Sequence, residues 1–118
     1  MPSVSQHLAK AVHNETFALT FWPVSPQYAD WTITAHFYAA VHLVEAYFAT
    51  IGIHSTNHQQ RNREIAVRLS AVAFHYMNLY RASRRARYDV TPATPTQTHR
   101  LVTHHFQHFK AHVISLLP

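Results

Sequence analysis

The sequence predicts an all-α fold, one antiparallel bundle of four helices formed by a single domain over residues 1–118. Gly52 is the only glycine, too little punctuation for a hairpin-rich β protein. Apolar residues recur at steps of three and four in four separate segments, which is the period of an amphipathic helix. Short connections between those segments favour antiparallel neighbours. At 118 residues the chain is long enough for one core and too short for two, and its 47% hydrophobic content excludes wholesale disorder.

The first helix is predicted from about residue 3 to 20. Ser3 and Gln6 have the spacing of a capping box, and Val4, Leu8, Ala11, Ala18 and Leu19 follow near helical intervals. Pro23 and Pro26 then break the pattern, because each disfavours the α conformation in the residue before it. Asp30 suits an N-cap for the second helix, whose Ile33, Phe37, Ala40, Val44, Tyr47 and Ile51 form a stripe. Large side chains on its other sides, Trp31, Tyr38, Val41 and Phe48, predict a central position with several neighbours. Gly52 falls where a left-handed residue would end it. Asn57 and Gln60 repeat the capping spacing, and Ile65, Leu69, Val72, Tyr76 and Leu79 predict a third helix from about residue 58 to 82 or beyond. Thr94, Pro95 and Gln97 open the fourth, with Val102, Phe106, Phe109, Val113 and Leu116 on one face.

With no cysteine, the chain has no disulfide, no thiolate nucleophile and no thiolate-bound zinc. His36, His42 and Glu45 interrupt its longest apolar stretch, so that stretch reads as a core helix and no membrane partner is expected. The N-terminus lacks the pattern of a secretory signal, and a cytoplasmic location is the default expectation. The net charge of +5 is unevenly placed: residues 1–60 hold one cation and three anions, residues 61–118 nine cations and two anions. A basic second half suits a polyanion or an acidic partner, and equally a solvated face.

The most specific text runs from Asp30 to Phe48 and contains Phe37-Tyr38-Ala39-Ala40-Val41-His42-Leu43-Val44-Glu45-Ala46, followed by Gly52, His54, His58 and Arg61-Asn62-Arg63. His13-Asn14 and Phe17 precede it, and Ser83-Arg84-Arg85-Ala86-Arg87-Tyr88 follows. This order resembles the HEPN superfamily of small helical bundles over roughly residues 7–88. The resemblance implies a HEPN-like domain, commonly homodimeric, that is associated with RNA or a nucleotide in defence or toxin–antitoxin systems. Active members cleave RNA without metal, using an Arg, four to six intervening residues and a His. A His can move protons at the ribose hydroxyl or leaving oxygen, and an Arg can stabilise phosphate charge.

That motif is degenerate or absent here. Arg68 and His75 have an allowed spacing and would share a face of the third helix, but Leu69 replaces the usual polar neighbour. Arg100 and His105 also count, although Leu101 follows the Arg and a five-residue offset separates the pair on an α-helix. The other polar set is His13, Asn14, His42, Glu45, His58 and Arg61. His42 and Glu45 are neighbours three positions apart, and convergence of the rest beside them would give either a buried hydrogen-bond network or a phosphate or nucleotide site. The candidates for catalysis are therefore His42, His58, Arg61, Arg68 and His75. Those for RNA or nucleotide binding are His13, Asn14 and Glu45 together with Arg81, Arg84, Arg85 and Arg87, which Tyr80 and Tyr88 flank. Arginines at a helix end also complement its dipole.

No metal or cofactor is assigned. His104, His108 and His112 lie in a row that reads as a solvated flank of the fourth helix. Two further readings stand beside the leading one. Trp31 and His36 with the late histidines distantly resemble DinB-like metal-binding bundles, which would use His36, His104 and His108. Surplus apolar surface on the second helix would instead suit a protein partner in a purely structural role.

Overall fold

Ser3, Asn57 and Thr94 start helices in the way their short polar side chains dictate. Each accepts a hydrogen bond from the backbone N–H three residues on, and Ser3 and Thr94 complete reciprocal capping boxes with Gln6 and Gln97. Each such cap contributes about 1 kcal/mol. The computed structural model describes residues 1–118 and contains helices and no strand. These are α1 (Val4–Phe21), a 3-10 turn (Pro26–Tyr28), α2 (Ala29–Thr50), α3 (His58–Arg68), α4 (Ala73–Tyr88), α5 (Pro95–His99), a π-helical segment (Arg100–Phe106) and α6 (Gln107–Ser115). Helical backbone at the joins makes α5, the π segment and α6 one continuous rod.

α2 is the central element. Its buried residues include Ile33, Phe37, Val41, Val44 and Phe48, and it packs against α1, α4, α6 and the π segment. Small residues on both sides, Ala11 and Ala18 with Ala35, Ala39 and Ala46, are buried where helices approach closely. Phe37, Phe48, Tyr76, Phe106 and Phe109 fill the middle, each large apolar side chain worth about 1.5–3 kcal/mol of burial. A 2.7 Å ion pair between Lys110 of α6 and Glu15 of α1 ties the last helix to the first.

Several boundaries differ from expectation. Asp30 lies inside the first turn of α2, where its charge still faces the helix dipole, and Tyr28 takes the cap position. Leu19 is half exposed, because His7, Ala11 and Ala18 are the residues of α1 that turn inward. The expected third helix is two helices, so five helical rods replace four. Leu69 (φ −124°, ψ 37°) and Val72 (φ −124°, ψ 7°) leave the helical region, and a tight turn links them through a 3.0 Å bond from the Val72 N–H to the Leu69 carbonyl. Both side chains are buried, as are Ile65, Tyr76 and Leu79, so the bend keeps the whole apolar stripe on the core. Gly52 has φ +75° and sits in a Schellman-type ending: the Ile53 N–H reaches back to the Phe48 carbonyl at 2.9 Å. No helix is long and apolar enough to cross a membrane.

Candidate functional site

The helical register of α2 puts His42 and Glu45 on one side, and the loop after Gly52 brings the start of α3 against them. Arg61 Nε donates to Glu45 Oε1 at 2.9 Å, with both side chains about nine-tenths buried or more. An Arg61 terminal nitrogen lies 2.9 Å from His58 Nδ1, which must present its lone pair because guanidinium has no acceptor. The His58 ring stacks on Tyr80 of α4 at 5.7 Å between centroids and contacts Phe37 at 5.8 Å. His42 Nδ1 faces His7 Nδ1 at 3.1 Å, so one ring donates and the other accepts. Of the first polar set, the structure therefore joins Glu45, Arg61 and His58 directly and seats His42 beside them. His13 is exposed on α1 and makes no such contact.

The end of α4 continues this site with positive charge. Arg84 donates to the Tyr80 hydroxyl at 3.2 Å and lies 5.8 Å from that ring. Arg87 donates to the Tyr38 hydroxyl at 3.1 Å and lies 5.9 Å from its ring. Neither forms an ion pair; the three pairs in the molecule use Arg61, Arg68 and Lys110. Burial, then the charges of Arg61, Arg87 and Arg84, hold the His58 pKa below its ordinary value. The guanidinium groups of two helices thus act on one imidazole. Tyr38 also belongs to a groove of about 340 Å³ between α1 and α2, where Lys10, Asn14, Trp31, Thr34 and His42 are its neighbours. Trp31 is 54% exposed there, a flat aromatic face open to solvent. Arg81 and Arg85 are exposed, and Arg85 turns toward a different cleft of about 500 Å³ that Asp30, Asp89, Arg100 and His105 also line.

Arg68 and His75 do not meet. The turn at 69–72 puts them on different helices, Arg68 is bound to Glu64 at 2.7 Å, and His75 Nδ1 faces His105 Nδ1 at 3.0 Å. Arg100 and His105, which α-helical spacing would separate, line one cleft because the wider π turn changes the register. The histidines of the last rod are not simply a solvated flank. His75 of α4 joins His104, His105 and His108 in a cluster whose ring centroids lie 5.1–5.3 Å from that of His75. His105 is buried, and burial followed by neighbouring imidazole and Arg100 charge lowers its pKa to about 4. His36 is apart from this group: its Nδ1 bonds the Thr32 carbonyl at 2.8 Å and its ring meets the edge of Phe106.

Sequence reasoning missed His7, Tyr80 as the ring on which His58 stacks, and the participation of His75 with His105. His7 could have been found, since it precedes Ala11 by four positions and Ala18 by eleven on the inward face of α1. The other two depend on how separate helices cross. Compared with protein-family models, with curated proteins and with solved structures, the chain matches none.

Proposed function

We propose that this chain is a HEPN-like module that binds RNA or a nucleotide, with phosphate held at His58, Arg84 and Arg87 and a base stacked in the adjoining groove. The observation that carries this reading is the position of Arg84 and Arg87: free of carboxylate partners, laid on tyrosine rings and acting on His58, with Tyr38 shared between Arg87 and the groove that the exposed Trp31 lines. Phosphate contacts supply affinity, and aromatic faces accept any base. Arg61 is the anchor, since Glu45 already neutralises it and fixes its direction. Capping of α4 by its last-turn cations explains Arg85 and Arg87 as dipole partners but leaves the Tyr80–Arg84 and Tyr38–Arg87 contacts without a purpose.

The test is fluorescence anisotropy with a labelled single-stranded RNA at increasing salt. Binding should weaken steeply with salt, and the Arg84→Ala/Arg87→Ala double variant should lose about tenfold or more in affinity with a shallower salt dependence, by about 1.4 in log–log slope. Both arginines are exposed, so the variant should keep its helical content. Absent binding at low salt, or unchanged affinity of the double variant, would remove this reading.

A further inference from the structure

The histidine cluster between α4 and the last rod lies outside the site above and makes no use of its residues. One ring nitrogen from each of His75, His104 and His105 lies within 4.8 Å of the other two. Between His75 Nδ1 and His105 Nδ1 the distance is 3.0 Å. Ligands of a tetrahedral ion with metal–nitrogen bonds near 2.0–2.1 Å stand about 3.3 Å apart, so this pair is nearly at bite distance. Consecutive residues of an α-helix point about 100° apart, yet His104 and His105 both reach His75, which the wide turn of the π segment permits. π turns inside helices are concentrated at functional sites. His108 stacks on His75 at 5.3 Å, and its Nδ1 is 2.6 Å from the His104 carbonyl. That bond commits Nδ1 as the donor and leaves Nε2 with the free lone pair, the arrangement that orients metal-binding imidazoles.

We propose that His75, His104 and His105 form a binding site for a divalent transition-metal ion, zinc foremost, with His108 beside them to complete the ligand sphere. The donor set is neutral imidazole without thiolate or carboxylate, which suits zinc and its borderline neighbours and not magnesium or calcium. Arg100, exposed to solvent, is the permanent cation that acts on His105. His36 takes no part, so the site differs from one built on His36, His104 and His108.

The experiment is a zinc titration of the full chain, prepared without a nickel column and stripped with chelator, read by competition with a chromophoric chelator. Cobalt titration supplies a second signal, the visible absorption of a tetrahedral ion. The wild type should take up one equivalent, and His75→Ala and His105→Ala should each bind about tenfold more weakly or worse and lose the tetrahedral spectrum. His99→Ala, an exposed histidine of α5, should bind as the wild type does. Because His105 is buried, circular dichroism accompanies each variant, and His104→Gln, at a half-buried position, gives the same answer should His105→Ala fail to fold. Substoichiometric uptake by the wild type would overturn the proposal, and so would undiminished binding by His75→Ala or His104→Gln.

Discussion

Arg61→Ala is expected to lower the unfolding free energy by about 3–5 kcal/mol, the range for breaking a buried ion pair by removing one partner. Glu45 sits in the middle of α2 at 5% exposure, and Arg61 Nε is the donor at its Oε1. Truncation at 61 leaves that carboxylate buried beside His42 with no cation. It also frees His58 from the guanidinium that orients it, and takes a charge from beside the Tyr76 hydroxyl, which is buried without a hydrogen-bond partner. Arg61→Lys should recover only part of the loss, because a single ammonium cannot span Glu45 and His58 as a planar fork does. Denaturant unfolding checks both variants. A loss below about 1 kcal/mol for Arg61→Ala would mean that the pair is solvated and the network unimportant to the fold.

Acidification from pH 7.5 to about 5 should destabilise the metal-free protein before its carboxylates protonate. His7, His36, His42, His58, His75 and His105 all have pKa values lowered in the folded state, with burial the largest cause for each. In the unfolded chain these rings take protons as the pH falls below about 6.5, while the folded chain still refuses them. The unfolded state then binds more protons, so stability rises with pH across this window and is lost on the way down. His105, lowered to about 4, contributes roughly 2–3 kcal/mol of that loss, or a fall of order 10 °C in Tm. Glu45 opposes the effect at His7 and His42 by favouring their charged forms. Thermal scans with chelator present measure it, and His105→Leu should flatten the acid limb. Equal Tm values at pH 7.5 and 5 would refute the assignment of these rings as neutral and buried.

Periodicity and caps made most of the helices legible in the sequence. Ser3, Asn57 and Thr94 act within three residues of themselves, so their role is written locally. The turn at 69–72 was not legible, because it contains neither proline nor glycine and the stripe Ile65, Leu69, Val72, Tyr76 and Leu79 stays buried through it. Of the site, His42 and Glu45 were placed together by α-helical spacing, and Arg61 and His58 arrive where the Gly52 turn delivers them. His75 could not be assigned to His105 from spacing, since the two are 30 residues apart and meet only because α4 lies beside the π segment. The same segment hid the shared cleft of Arg100 and His105, whose five-residue offset is unfavourable only on a regular α-helix.

The ending of α2 carries one more consequence. A methyl group built on residue 52 would meet no atom within 4 Å, so want of space is not what keeps the position free of a side chain. What forbids one is handedness: at φ +75° an L-residue collides with its own backbone, whereas a D-residue is at rest. Gly52→Ala would therefore place about 1–2 kcal/mol of strain in the turn that delivers Arg61 to Glu45, although nothing blocks the added methyl.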